Sequence, residues 1–101
     1  MKQQICILGS TGSIGTQALD VISQHPDLYE AYALTANHRW KELAEQARRF
    51  HPAAVVIADE AYYDALTHEL SDMPDVKVYS GSKALEEIVE SESIDMVLTA
   101  M

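Results

Sequence analysis

Short runs of consecutive apolar residues alternate along this chain with longer stretches in which apolar residues recur every three or four positions. The first run, Ile5–Leu8, is continuous, which is typical of a parallel strand covered on both faces. From Ser13 to about Gln24 the apolar residues fall on one helical stripe. His25-Pro26 ends that stripe. The pattern therefore predicts a strand, a turn and a helix at the start of the chain.

The same alternation continues to the end of the sequence. The further predicted elements are a strand over about Glu30–Leu34, a helix over about Trp40–His51, a strand over Ala54–Ile57, a helix over about Glu60–Leu70, a strand over Val76–Tyr79, a helix carrying Leu85, Ile88 and Val89, and a strand over Ile94–Leu98. Unbroken alternation of strand and helix predicts parallel strands joined by right-handed helical crossovers. We therefore predict an α/β fold, a Rossmann-like doubly wound parallel sheet of at least five strands in three layers.

The length of 101 residues allows one small domain with its own core and is too short for two. No linker or low-complexity tract divides the chain. The last predicted strand, Ile94–Leu98, would need a covering element on each face if it lies inside a parallel sheet. We therefore expect residues 1–101 to be one domain at one end of a longer protein.

A glycine-rich segment, Gly9-Ser10-Thr11-Gly12-Ser13-Ile14-Gly15, connects the first strand to the first helix. We expect Gly9 to allow a sharp reversal, Gly12 to leave room for an anion, and Gly15 to let the helix pack closely. The N–H groups expected to point at a pyrophosphate, near the positive end of the helix dipole, are those of Thr11, Gly12, Ser13 and Ile14. Thr11 and Ser13 add hydroxyl donors. Such a turn can be purely structural, but the strand before it and the helix after it favour a dinucleotide site.

The adenine ribose of a dinucleotide normally lies at the end of the second strand, where an NAD site carries a carboxylate for the ribose 2′-OH. Here that place reads Thr35-Ala36-Asn37-His38-Arg39, without a carboxylate. Arg39 is suited to hold a 2′-phosphate, with hydrogen bonds from Asn37 and His38. The sequence therefore predicts NADP(H) rather than NAD(H). The alternative is that Arg39 is a solvated residue in the first turn of the next helix.

The formal net charge is −9, from 16 acidic and 7 basic residues. This balance argues against binding to nucleic acid or to an anionic membrane surface, both of which need a concentrated basic face. No apolar stretch is long enough to predict a membrane span. The single cysteine, Cys6, fits a reducing compartment, so we expect a cytoplasmic protein.

The segment Ile5–Ser23 closely resembles the 1-deoxy-D-xylulose 5-phosphate reductoisomerases. Its most specific part is Leu8-Gly-Ser-Thr-Gly-Ser-Ile-Gly15, followed by Leu19-Asp20-Val21. The resemblance continues through His25-Pro26, Ala33-Leu34, Glu45-Gln46 and Asp95-Met96-Val97, and covers essentially all 101 residues. It implies that the chain is the N-terminal NADPH-binding domain of a protein about four times longer.

The resemblance implies an NADPH-dependent enzyme that converts 1-deoxy-D-xylulose 5-phosphate to 2-C-methyl-D-erythritol 4-phosphate in the non-mevalonate isoprenoid pathway. It implies a homodimer, a small phosphorylated sugar as substrate, and a divalent metal, Mg²⁺ or Mn²⁺, that polarises the substrate oxygens. No residue here matches the family's catalytic or metal-binding positions, so we expect this part alone to bind cofactor at best and to catalyse nothing.

Residue by residue, the resemblance places Thr11, Gly12, Ser13 and Ile14 at the NADPH phosphates, and Asn37, His38 and Arg39 in the 2′-phosphate loop. In that loop the sequence departs from the commoner Gly–Lys/Arg–Asn pattern by moving the strongest cation one place along the chain. Two alternatives remain from the residues alone. One is the cofactor domain of another NADP-dependent dehydrogenase, of the aspartate-semialdehyde or homoserine type. The other is a non-catalytic nucleotide-sensing Rossmann module.

Overall fold

The computed structural model describes residues 2–100, which form a five-stranded sheet with helices on both faces. In chain order the elements are β1 (Gln3–Leu8), α1 (Ser13–Gln24), β2 (Tyr29–Ala36), α2 (Trp40–Phe50), β3 (Ala54–Ile57), a 3-10 turn (Glu60–Tyr62), α3 (Tyr63–Glu69), β4 (Lys77–Ser80), α4 (Ser82–Val89) and β5 (Met96–Thr99). All four strand pairs are parallel, which confirms the predicted α/β class.

The strand order across the sheet is β4-β3-β2-β1-β5. The chain moves outward from β1 to β4 and then returns to add β5 on the opposite side of β1. The strands on either side of β1 are β2 and β5, and the chain therefore reaches them by connections that run in opposite directions across the sheet. In open parallel sheets such a reversal opens a crevice at the carboxyl ends of the strands.

The larger hydrophobic core lies between the sheet and three of the helices. Its helical members come from α1, α2 and the segment around α3, and they pack on apolar residues of β1, β2 and β3. The largest fully buried members are Ile7, Leu34, Leu43, Val55, Ile57 and Leu66. This packing explains why the predicted helical stripes of α1 and α2 are found as helices with buried apolar faces.

The opposite face of the sheet carries a smaller core. Here Cys6, Ala33 and Ala54 are buried, and Ile88 and Val89 of α4 pack against them. Because α4 lies on this face while α1, α2 and the segment around α3 pack on the other, the three-layer, doubly wound prediction is confirmed. The cover is thin, since none of the residues of α4 is fully buried.

Some element boundaries differ from the prediction. β2 extends through Thr35 and Ala36 because these residues pair with Val56 and Ile57 of β3. The expected single helix over about Glu60–Leu70 begins instead as a 3-10 turn, in which the Asp59 carboxylate accepts the Ala61 N–H. The last strand begins at Met96 because Ile94 is held in a turn, its N–H donating to the Ser91 carbonyl. The pattern of apolar residues does not reveal these local hydrogen bonds, so the predicted boundaries differ from the observed ones.

The end of α2 contains a residue in an unfavourable backbone conformation. His51 has φ 49° and ψ 54°, the left-handed region, and its N–H donates to the Ala47 carbonyl at 2.9 Å. Pro52 follows directly and is buried. Glycine is the residue that adopts this conformation without a steric penalty.

We expect His51→Gly to raise the free energy of unfolding by about 0.5–1 kcal/mol, measured by urea denaturation. The left-handed conformation costs an L-residue roughly 1–2 kcal/mol, and the greater freedom of glycine in the unfolded chain cancels part of this gain. The matched control is His68→Gly, since His68 is an exposed residue within α3. That variant should lose about 0.5 kcal/mol because glycine is a poor helix former. Destabilisation by both variants would contradict the expectation.

Candidate functional site

A cleft of about 430 Å³ opens at the carboxyl edge of the sheet, where the strand order reverses. The residues that line it are Gly9, Thr11, Gly12, Ser13, Thr35, Ala36, Asn37, His38, Arg39, Ala58, Leu85 and Ala100. They lie at or just after the carboxyl ends of β1, β2, β3 and β5, with Ser13 at the start of α1 and Leu85 from α4. This is the place at which parallel α/β sheets bind ligands, and the size is that of a small-molecule site.

Six of the seven residues predicted to bind cofactor line this one cleft: Thr11, Gly12, Ser13, Asn37, His38 and Arg39. The structure thus brings together two segments that are more than twenty residues apart in sequence. Ile14 is the exception. Its side chain is 64% exposed and does not line the cleft, so its predicted contribution rests on its backbone N–H alone.

The glycine turn is built as a tight reversal that ends in the first turn of α1. Gly9 has φ 85°, the positive value expected for the reversing glycine. The Gly12 N–H donates to the Gly9 carbonyl at 3.2 Å, and the Gly12 carbonyl accepts the Thr16 N–H at 2.9 Å. The expectation that four N–H groups point at an anion therefore needs correction, because the Gly12 N–H is used inside the turn. Within residues 2–100 the N–H groups of Thr11, Ser13 and Ile14 have no acceptor.

The two later glycines of the turn have different roles. A Cβ atom at Gly15 would lie 2.3 Å from the Gly9 carbonyl oxygen and 2.6 Å from the Ser10 Cα, so the helix packs on the turn only without a side chain. A Cβ atom at Gly12 would meet the backbone at 3.6 Å and 3.8 Å, which is ordinary contact. Gly12 has φ −80° and ψ 175°, values open to any residue. The fold therefore requires Gly15, whereas the absence of a side chain at Gly12 only enlarges the cleft.

The end of β2 holds the turn from the neighbouring strand. The Gly9 N–H donates to Thr35 Oγ1 at 3.0 Å, and the Ser10 N–H donates to the Thr35 carbonyl at 2.8 Å. Thr35 reaches this place because β2 carries one extra residue: Ile5 pairs with Ala31 but Cys6 pairs with Ala33. This β-bulge shifts every later residue of β2 by one position. Its effect is to bring a hydroxyl to the first residue of the turn.

The segment Asn37–Arg39 is exposed and leads directly into α2, with Arg39 as the residue before the first helical turn. Among the described residues that line the cleft there is no carboxylate, and His38 and Arg39 supply its basic groups. The nearby Asp59 does not line the cleft; its carboxylate accepts the Ala61 N–H at 3.0 Å, and its own N–H donates to the Asn37 carbonyl. The lining residues therefore include one guanidinium and no carboxylate, in a chain of net charge −9.

Sequence reasoning missed Ala58, Leu85 and Ala100 as lining residues. Ala58 follows β3 and Ala100 follows β5, so the ends of the parallel strands were a usable signal. No sequence signal marks Leu85, because its position depends on α4 covering the second face of the sheet. Trp40 does not line the cleft and packs partly buried against the larger core.

Other reactive groups lie away from the cleft. Burial raises the pKa of the Cys6 thiol to about 11, so this residue is a neutral, apolar member of the smaller core. In residues 2–100 no group of three His, Cys, Asp or Glu side chains lies close enough together to hold a metal ion. Within the same residues no helix has the length and apolar character needed to cross a membrane.

Residues 5–101 match the family model described as 1-deoxy-D-xylulose 5-phosphate reductoisomerase. This chain belongs to that family. Among the curated members, the protein of Phocaeicola vulgatus is 66% identical over 101 residues, and the protein of Porphyromonas gingivalis is 50% identical over the same length. All of the chain is covered in both comparisons, but only 26% of each relative. The chain therefore spans about a quarter of the length of these reductoisomerases.

Solved structures of the family show the same fold. A crystal structure of DOX-P reductoisomerase in complex with NADPH, fosmidomycin and magnesium is 37% identical to the chain, with a TM-score of 0.92 over 98% of this chain and 24% of that one. The reductoisomerase from Zymomonas mobilis in complex with NADPH is 39% identical, with a TM-score of 0.81 over 86% of this chain and 23% of that one. The predicted family resemblance is confirmed.

We expect Gly15→Ala to destabilise the fold by at least about 2–3 kcal/mol, since the added methyl group would overlap backbone atoms that cannot move away as a side chain would. Gly12→Ala is the matched control within the same turn. Its methyl group meets only ordinary contacts, so its stability should stay within about 1 kcal/mol of the wild type. Thermal unfolding followed by circular dichroism measures both. Equal stability of the two variants would show that the helix does not need the close approach at Gly15.

Proposed function

We propose that this chain is the N-terminal NADPH-binding domain of a 1-deoxy-D-xylulose 5-phosphate reductoisomerase. The observation that carries the proposal is that a glycine turn at a helix N-terminus and a basic segment without a carboxylate line one cleft at the switch point of the sheet. Family membership agrees with it, and relatives of known structure are described as complexes with NADPH.

The glycine turn suits the diphosphate of the cofactor. Thr11 and Ser13 line the cleft with their backbone N–H groups free of acceptors in the described residues, and the Ile14 N–H is free in the same way. These groups lie at the positive end of the α1 dipole. The missing side chain at Gly12 leaves space for phosphate oxygens to approach the backbone. An anion can therefore be held here without a neighbouring cation.

The segment Asn37–Arg39 suits the 2′-phosphate. A carboxylate at this place would accept a hydrogen bond from a ribose 2′-OH and repel a phosphate, and none of the described lining residues carries one. The Arg39 guanidinium can bind a phosphate through two parallel N–H donors. We therefore assign the 2′-phosphate to Arg39, with Asn37 and His38 as further donors.

The remaining features of the enzyme follow from the family and belong to the full-length protein. We propose that it converts 1-deoxy-D-xylulose 5-phosphate to 2-C-methyl-D-erythritol 4-phosphate in isoprenoid precursor synthesis, as a cytoplasmic homodimer. A divalent metal, Mg²⁺ or Mn²⁺, would polarise the substrate oxygens. We assign its ligands and those of the phosphorylated sugar to other parts of the full-length protein, and the cofactor-binding residues to this domain.

The family match favours this function over a semialdehyde or homoserine dehydrogenase. A nucleotide sensor of the same fold is distinguished by assay, because a reductoisomerase consumes NADPH only when 1-deoxy-D-xylulose 5-phosphate and a divalent metal are present.

We expect Gly12→Val to remain folded and to lose NADPH affinity by about ten- to a hundredfold, since the branched side chain would occupy space needed by the diphosphate. Calorimetric titration measures the affinity, and circular dichroism measures the fold. Gln17→Val is the matched control because Gln17 is an exposed residue of α1 outside the cleft lining, and this variant should bind NADPH normally. Unchanged affinity in a folded Gly12→Val protein would remove the diphosphate from this turn.

We expect Arg39→Ala to weaken NADPH binding by about ten- to a hundredfold and to leave NADH binding unchanged, because Arg39 is assigned only to the group that NADH lacks. The titrations with both cofactors are made at about pH 8. Arg49→Ala removes the same charge from the far end of α2, outside the cleft, and should leave both affinities intact. An equal loss for NADPH and NADH would make Arg39 a structural residue.

A further inference from the structure

Gln46 in the middle of α2 makes a reciprocal pair of hydrogen bonds with the glycine turn. Ser10 Oγ donates to Gln46 Oε1 at 2.7 Å, and Gln46 Nε2 donates to the Ser10 carbonyl at 2.8 Å. Ser10 is fully buried, although it lies between residues that line the cleft. A buried polar residue of this kind requires partners for its polar atoms, and Gln46 supplies them for two.

Only one orientation of the Gln46 side-chain amide allows both hydrogen bonds to Ser10. The Ser10 carbonyl can only accept, so the amide NH₂ must face it. The amide oxygen then faces Ser10 Oγ, whose single proton is directed to it at 2.7 Å rather than to the Thr35 carbonyl at 3.2 Å. Two hydrogen bonds to one residue define both the distance and the angle between α2 and the turn. An apolar contact at this place would define neither.

The location of Gln46 gives the pair a consequence for the cleft. The first turn of α2 follows directly on Asn37–Arg39, and Gln46 lies seven residues beyond Arg39, about 10 Å along the helix axis. The same helix is thus attached at one end to the segment assigned to the 2′-phosphate and in its middle to the turn assigned to the diphosphate. Gln46 itself does not line the cleft.

We propose that Gln46 is a positioning residue that holds the glycine turn at a defined distance from Asn37–Arg39, so that one NADPH molecule meets both phosphate subsites. This inference rests on the proposed function, because it assumes that the glycine turn binds the diphosphate and that Asn37–Arg39 binds the 2′-phosphate of the same NADPH molecule. Gln46 acts through Ser10 and does not contact the cofactor.

The test compares ligands that span both subsites with one that occupies a single subsite. NADPH and 2′-phospho-ADP-ribose carry the diphosphate and the 2′-phosphate, whereas adenosine 2′-monophosphate carries only the latter. We expect Gln46→Leu in the intact protein to weaken the first two ligands by about tenfold. Adenosine 2′-monophosphate should change by less than about twofold, because its subsite does not depend on the turn. Calorimetric titration gives all three affinities.

The controls separate positioning from general destabilisation. Gln24→Leu makes the same chemical change at an exposed residue at the far end of α1 and should alter none of the affinities. Ser10→Ala removes one of the two hydrogen bonds, and its effect on NADPH affinity should be smaller when Gln46 is already leucine than in the wild type. If Gln46→Leu does not fold, Gln46→Glu serves instead, since its carboxylate still accepts from Ser10 Oγ but cannot donate to the Ser10 carbonyl.

Different outcomes overturn the proposed function and the positioning role of Gln46. Failure of the wild-type protein to bind NADPH overturns the proposed function and the positioning role together. Wild-type NADPH binding with undiminished affinity in Gln46→Leu, or in Gln46→Glu, overturns the positioning role alone. An equal loss for all three ligands also overturns it, because a loosened fold would weaken each subsite alike.

Discussion

The close approach of α1 to the turn that precedes it is the contact on which the cleft depends. At Gly15 the helix lies so near the backbone of Gly9 and Ser10 that no Cβ atom fits between them. This contact holds the first turn of α1 against the carboxyl edge of the sheet. The N-terminus of α1 therefore lies at the crevice beside β1, where backbone N–H groups provide a positive potential without a charged side chain. The stability of the fold and the affinity for an anion therefore both depend on the close contact between α1 and the turn at Gly15.

The turn is also held from the side of β2 and α2. Thr35 receives the N–H groups of Gly9 and Ser10, and Gln46 binds Ser10 from α2. Both contacts depend on long-range structure: the bulge in β2 places Thr35, and the packing of α2 on the sheet places Gln46. As a result, the segment that follows β2 is fixed relative to the turn that follows β1. A dinucleotide that bridges the two segments meets a site whose spacing is defined before it binds, which lowers the entropic cost of binding.

The distribution of charge explains how a protein of negative net charge can bind a phosphorylated ligand. The net charge of −9 opposes binding to extended polyanions, which need many cations on one face. A single cofactor requires far less, because in the proposed binding mode its phosphates would meet backbone N–H groups at one segment and the Arg39 guanidinium at the other. Asp59, the carboxylate nearest to the end of β3, is engaged as the cap of the 3-10 turn. The residues that line the cleft therefore differ in charge from the chain as a whole, since they include Arg39 and no carboxylate.

The sequence by itself determined the order and type of nearly every element, the place of the glycine turn, and six of the residues that line the cleft. These features are local: continuous apolar runs mark buried parallel strands, periodic stripes mark helices, and the glycines and the missing carboxylate mark backbone and ligand requirements at single positions. Only the tertiary structure decided that β5 returns to the far side of β1, that Leu85 reaches the cleft, and that the Gly12 N–H is used inside the turn. It also decided the partners of Ser10. These outcomes depend on the pairing of strands about ninety residues apart and on a bulge of one residue, and the balance of such long-range contacts leaves no periodic trace in the sequence.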